Sequence, residues 1–397
     1  MKPRAVIPIP FDILESIVEL IGVDEDTKSL KAVSLACYAM VPLCRKFLFS
    51  SVRLSRGDAQ KGSLYIGELL SMSPDIAQYV TKLRYLLHDT NDADRMVLDL
   101  LKERSSLRSL HLRGEDLSDW LAFPAPVRSA VIYILQSHPI ALLDICHIRK
   151  FPGTVLSFCK HLTDIQLMWV EMATEEPTHF SNQSRIPTPT GLKNMGGYGA
   201  LEFLMRITDS RVGPTVDFSQ LKDAMLEVEM PADEPIIEGL LEIATQLESL
   251  SIILDPIHIR RPLRLISLNT NSLSRLKSAV FEFVIHGNYH DPLCGICDEL
   301  RKLASKNVLE NIEVSVQVQI DSRCRTNSED WSDLDALLTG PGFPKLRRVK
   351  LEFFVFSFQR SQREVQDLLN SMPRERFRKL SESTTIAFEY SAENEYV

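Results

Sequence analysis

This chain lacks the marks of several protein classes. No apolar run approaches the ~20 residues that a bilayer-spanning helix needs, so no membrane partner is expected. The N-terminal MKPRAVIPIP is basic but has no apolar h-region, which argues against a secretory leader. The seven cysteines, Cys37, Cys44, Cys146, Cys159, Cys294, Cys297 and Cys324, are odd in number and scattered, so they form no disulfide framework. Asn182-Gln183-Ser184 fits a glycosylation sequon, but a sequon has no meaning without secretion. A reducing compartment, cytoplasmic or nuclear, is the expectation.

Clustered positive charge is also scarce. Lys and Arg number 45 against 53 Asp and Glu, a formal net charge of −8, which excludes nucleic acid or an anionic membrane as main partner. The basic patches at Arg347-Arg348 and Arg374-Glu375-Arg376-Phe377-Arg378-Lys379 read as solvated faces. No G-x-S-x-G elbow, H-E-x-x-H pair, kinase signature or phosphate-binding glycine loop occurs, and Gly196-Gly197-Tyr198-Gly199 is too short for one. No cysteine stands in a recognisable activating context. Neither catalysis nor a cofactor is expected.

One cluster, His286-x3-His290-x3-Cys294-x2-Cys297, has the residue types of a zinc site. Its two ligand pairs are too close for the backbone to fold around an ion. The same stretch reads as a helix capped by Asp291, with Pro292 at its first position and Leu293, Ile296, Leu300 and Leu303 as its apolar stripe. No metal is expected. Trp120, Trp169 and Trp331 read as packing residues.

What the chain does have is 44% hydrophobic residues over 397 positions, enough for two or three domains or one elongated array. The first fifty residues read as three short helices. Pro10 suits a first turn, a helix then runs from about Phe11 to Ile21, and Gly22 stands just past its end. Ile13, Leu14, Ile17, Val18, Leu20 and Ile21 cover an arc of roughly 160° on that helix, wider than the ~100° stripe one core needs. Asp26 or Thr27 caps a second helix bearing Leu30, Val33 and Cys37. Pro42 opens a third helix ending near Phe47-Leu48-Phe49, and Val52-Arg53-Leu54 begins a strand.

Behind this module a pattern recurs: apolar, two spacers, apolar, one spacer, apolar. It appears at Leu107-Leu110-Leu112, Leu162-Ile165-Leu167, Leu247-Leu250-Ile252, Leu309-Ile312-Val314 and Leu346-Val349-Leu351. Weaker copies lie at Leu83–Leu86, Leu142–Ile145, Leu221–Leu226 and Ala279–Val284. Helical periodicity separates them, at Met96-Val97-Leu100-Leu101, Val131-Ile132-Leu135, Ile236–Ala244 and Val365-Leu368-Leu369. Strand alternating with helix implies parallel pairing and right-handed crossovers. A polar insert near 174–199, rich in Pro and Gly, interrupts the beat and reads as a disordered excursion or a target-contacting loop. A second irregular stretch runs from Asp321 to Pro344, with one short helix near Asp333–Leu338.

The N-terminal segment resembles an F-box of the form common to large fungal families. Ile9-Pro10-Phe11-Asp12-Ile13-Leu14 matches the opening motif, and Leu30, Val33, Ser34-Leu35, Cys37, Arg45 and Leu48-Phe49 match the later positions. Asp12 replaces the usual Glu, Ile9 the usual Leu, and Met40 a frequent Trp. The region behind resembles the leucine-rich repeats that often follow an F-box. The resemblance implies an α/β fold: residues 1–50 as an F-box-like helical module, and 51–397 as an irregular leucine-rich-repeat solenoid with parallel strands inside its curve and helices outside. It further implies a substrate-receptor subunit of an SCF-type ubiquitin ligase. Ile9, Pro10, Ile13, Leu14, Ile17, Leu30 and Val33 would dock the Skp-type adaptor, helix in groove, and the repeats would hold an unknown target protein. The alternative is a repeat scaffold, unrelated to ubiquitin, whose first helices only cap the solenoid.

Overall fold

A computed structural model describes residues 10–24, 26–55, 58–87, 92–173, 186–196, 199–205, 214–254, 267–286, 293, 295–320, 330–357 and 362–396. These divide into two compact units, one ending at Leu162 and the other beginning at Thr163.

The first unit opens with three helices, α1 (Phe11–Val23), α2 (Thr27–Ala36) and α3 (Val41–Leu48). Strand β1 (Ser51–Leu54) follows, then α4 (Asp58–Met72), β2 (Lys82–Leu86), α5 (Asp92–Arg104), β3 (Ser109–Asp119), α6 (Ala125–Ser137) and β4 (Leu142–Pro152). The four strands pair in parallel, in chain order. The second unit repeats the alternation: β5 (Asp164–Ala173), β6 (Gly191–Met195), α7 (Ala200–Met205), β7 (Asp223–Val228), α8 (Asp233–Ile243), β8 (Ser249–Leu254) and α9 (Thr270–Leu273). It continues with β9 (Ser278–His286), α10 (Ile296–Leu303), β10 (Asn311–Ile320), α11 (Asp330–Leu338), β11 (Arg348–Ser357), α12 (Gln362–Glu375), α13 (Arg378–Ser381) and β12 (Ala387–Tyr396). Its strands also pair in parallel and in chain order.

A single hydrogen-bond motif fixes the register. The carbonyl just before each strand accepts from two successive N–H groups at the start of the next strand. Ser50 O takes Thr81 N at 2.9 Å and Lys82 N at 3.0 Å; Thr81 O takes Arg108 N at 2.7 Å and Ser109 N at 3.0 Å. The same corner recurs in the second unit, where Lys222 O takes Glu248 N at 2.7 Å and Ser249 N at 3.0 Å. Such a corner satisfies the orphan donors at each strand start and makes every unit a copy of its neighbour.

Alternate residues of strands β1 to β11 are buried, where described, and those of β12 are half-buried. In β8 the buried ones are Leu250, Ile252 and Leu254, and in β11 Val349, Leu351, Phe353 and Val355. The helices cover this side. Trp331 of α11 packs edge-on to Phe353 at 5.1 Å, and the Tyr390 hydroxyl of β12 donates to Leu369 O of α12 at 2.7 Å. The other alternates, half-buried or exposed, form a polar face. Every strong and weak copy of the repeated pattern lies on or leads into a strand. The apolar helical clusters lie on α5, α6, α8 and α12, where these are described.

Several local expectations are corrected. Helix α1 runs through Gly22 to Val23 and Asp24 is its C-cap; Gly22 is there for close packing, because an added Cβ would lie 2.3 Å from Phe47 Cδ1. The insert near 174–199 contains a strand, β6, paired on both sides, and residues 174–185 lie outside the described residues. The patch at 374–379 is not wholly solvated, since Phe377 is buried against Trp331. Asp291 and Pro292 lie outside the described residues, and α10 opens instead on Gly295, with φ +73°. The stripe Leu293, Ile296, Leu300 and Leu303 is buried as its spacing requires.

Candidate functional site

The three N-terminal helices enclose a small core of Val18, Leu30, Met40 and Cys44. Leu14, Ile21, Val33, Leu43, Phe47 and Leu48 pack partly buried around it. Each helix begins for a local reason. Pro10, extended at ψ 143°, starts α1, and its carbonyl accepts from Leu14 N at 3.2 Å. Asp26 caps α2 by accepting from Lys28 N and Ser29 N, both at 3.1 Å, and from Ser29 Oγ at 2.5 Å. Those Ser29 bonds favour the ionised carboxylate and hold Asp26 below the usual carboxyl range. Pro42 sits in the first turn of α3. Burial pushes the Cys44 thiol up, which suits a packing residue and not a nucleophile.

The wide apolar arc of α1 is divided between two environments. At about 100° per residue, Leu14, Val18 and Ile21 occupy one half, turned to the core. Ile13, Ile17 and Leu20 occupy the other half and are 48%, 42% and 67% exposed. Val23 extends this surface, Phe11 is exposed on the other flank of the core-facing half, and Leu35 and Tyr38 stand out at 88% and 91% exposed. At about 100° per residue Ser16 borders the line, and Glu15 and Glu19 stand further round the helix, where Lys46 of α3 approaches Glu19 at 3.7 Å.

The expected docking residues therefore separate. Pro10, Ile13 and Ile17 are exposed. Leu14 and Val33 are half-buried against the core, and Leu30 is buried within it, so Leu30 holds the module together and offers no surface. Ile9 lies outside the described residues. Leu20, which lay in the same arc, joins the exposed line. Leu35 and Tyr38 are exposed as well, although nothing in their spacing sets them apart.

The polar strand face is the second surface. In the second unit two of its cations, Arg348 and Lys350, are matched. Lys350 Nζ lies 2.9 Å from both Glu313 and Glu352, and Arg348 reaches Glu389 through two bonds of 2.9 and 2.7 Å. In the first unit, Asp144 Oδ2 meets His111 Nδ1 at 2.9 Å, and His111 Nε2 meets Ser109 Oγ at 2.9 Å. This order matches a hydrolytic triad, which is not legible from spacing because Asp144 comes from the next strand. Ser109 N and Lys82 N, however, are both committed to the sheet corners, so neither is free to act as an oxyanion donor. The chain of bonds fixes the imidazole in place.

For the sequence cluster at 286–297, His290 and Cys294 lie outside the described residues. Among the described residues no group of three His, Cys, Asp or Glu is placed to hold a metal, and no helix is long and apolar enough to cross a membrane. Compared with protein-family models and with curated proteins, the chain matches none.

Proposed function

We propose that this chain is a substrate-receptor subunit of an SCF-type ubiquitin ligase. The exposed side of α1 docks a Skp-type adaptor, and the strand face of a leucine-rich-repeat solenoid holds a target protein. The chain does no chemistry itself. It raises the effective concentration of target and charged ubiquitin carrier by holding them together. Such a role belongs in the cytosol or nucleus.

The supporting observation is the line Ile13, Ile17 and Leu20, left facing water although the module's own core is closed. A helix with such a line lays it into an apolar groove. The test is co-purification with a Skp-type adaptor. Ile13→Asp with Ile17→Asp should abolish retention while leaving the melting temperature within a few degrees of the parent, because both side chains are exposed. A folded variant that retains adaptor as the parent does refutes the assignment.

One observation favours the alternative, a scaffold whose helices cap the array. Ser50, two residues past α3, supplies the first sheet corner through Thr81 and Lys82, so the module also closes the end of the ladder. A pure cap would bind no adaptor at all, so the same co-purification separates the two.

A further inference from the structure

The strand face of the first unit carries cations without matching anions. Arg53 of β1 stands directly across from Arg84 of β2, Arg84 faces His111 of β3, Lys82 lies two residues before Arg84, and Arg113 lies two after His111. Arg53 and Arg113 are exposed, and Lys82 and Arg84 half-buried, all on the side opposite the buried Val52, Leu83, Tyr85, Leu110 and Leu112. Of the carboxylates on this face, Asp144 is engaged by His111, and Glu115, two residues beyond Arg113, forms no ion pair with any of these four cations. None of the ion pairs among the described residues involves Arg53, Lys82, Arg84 or Arg113.

Like charges directly opposed across strands destabilise a sheet. In a chain of net charge −8 such a stripe is not a by-product of general basicity. On the corresponding face of the second unit, Arg348 and Lys350 are each bonded to carboxylates. The first unit therefore keeps an unneutralised patch where pairing was available.

We propose that this stripe binds an acidic peptide segment, a short run of Asp and Glu in the target protein. The patch spans three strands about 4.8 Å apart and positions about 6.7 Å apart along each. That is room for three or four carboxylates. It is too small for nucleic acid, whose specific complexes engage many more phosphates. Arg53 and Arg84 offer planar donor forks suited to bidentate carboxylate contacts. His111, held by Asp144 and Ser109, adds a fixed polar floor between Arg84 and Asp144. The purpose of this binding rests on the receptor role proposed above, but the binding itself does not, since none of these residues belongs to α1 or α2.

The experiment is a fluorescence-anisotropy titration of the full chain against a labelled Asp/Glu hexapeptide and its Asn/Gln counterpart. The acidic peptide should bind and weaken about tenfold between roughly 50 and 300 mM salt, and the neutral one should not bind. Arg53→Gln with Arg84→Gln should weaken binding at least about tenfold, with melting temperature unchanged or raised because like-charge repulsion is relieved. Lys82→Gln with Arg113→Gln serves as a second pair should the first fail to fold. Equal binding of both peptides, no effect of either folded double variant, or tighter binding of a single-stranded oligonucleotide of equal charge would each overturn the proposal. Adaptor co-purification on the same variants should be unchanged, so failure here and failure of adaptor docking are told apart.

Discussion

Replacing Gly22 by Ala sets two effects of opposite sign against each other. Alanine in a helix interior is favoured over glycine by about 1 kcal/mol. Gly22 lies inside α1, so on propensity alone the change stabilises. Packing opposes it. The new Cβ would sit 2.3, 2.4 and 2.6 Å from Cδ1, Cγ and Cε1 of Phe47, where carbon atoms normally rest about 3.5–4.0 Å apart. Because Cγ is among the overlapped atoms, turning the ring about its own axis does not relieve the clash. Either the Phe47 side chain leaves its place beside the core, or α1 and α3 separate. Overpacking of this kind costs about 1–3 kcal/mol, so against the ~1 kcal/mol propensity gain the net expectation is a loss of up to about 2 kcal/mol. In a unit of this size that lowers the melting temperature by up to about 6 °C. The decisive assay is a double-mutant cycle with Phe47→Ala, read by thermal or urea unfolding. Once the ring is gone, Gly22→Ala should stabilise by about 0.5–1 kcal/mol. A Gly22→Ala protein that melts higher than the parent, or the same shift in both backgrounds, would show that Phe47 is not the reason for this glycine.

Two further outcomes follow from buried groups. Asp335 of α11 accepts from Leu380 N at 2.8 Å and from Lys379 N at 3.0 Å, capping α13 across the chain; Asp335→Ala should cost about 3 kcal/mol in chemical denaturation and Asn about half that, whereas a loss below about 0.5 kcal/mol for Ala would refute the cap. Burial pushes the thiols of Cys146 and Cys159 up to about 11 and about 12, while Cys37 is exposed. Alkylation near pH 8, mapped by mass spectrometry, should mark Cys37 quickly and spare Cys146 and Cys159 until denaturant is added. Labelling of Cys159 at the rate of Cys37 would contradict its burial.

Elements whose apolar residues face one core were legible from spacing. Leu247, Leu250 and Ile252 announce β8, and Leu309, Ile312 and Val314 announce β10, because each triplet is buried on one side of its strand. Strand β6 was hidden. Gly191, Lys193 and Asn194 have little strand preference, and the segment is extended because β5 and β7 pair with it on both sides. Gly22 was recognised as important for the wrong reason, since sequence shows a helix-stopping residue but not the aromatic ring pressed against it. Phe377 was lost within a run of charges, although Trp331 buries it from another helix. The docking surface divided the same way. Periodicity located the arc on α1, but only the packing of α2 and α3 determined that Ile13 and Ile17 face water while Leu30 does not.

That division also limits what the docking surface can do. Side chains like Ile13, Ile17 and Leu20 still have about half of their area to bury, worth about 1 kcal/mol each. Covering Phe11, Val23, Leu35 and Tyr38 as well would bring the apolar gain to about 8 kcal/mol. Loss of free translation and rotation takes at least ~4 kcal/mol of that, leaving an affinity weaker than micromolar from apolar burial alone. Tighter docking of the proposed adaptor must therefore draw on polar groups further round the helix, such as Asp12 and Glu19, or on a larger contact area. Charge at these positions should then govern partner choice more than total affinity, because rim charges act chiefly on encounter and orientation. A module whose core is closed by four buried residues can display this face without unfolding when the partner leaves. That separation between what folds the helices and what they present is the condition for reversible docking.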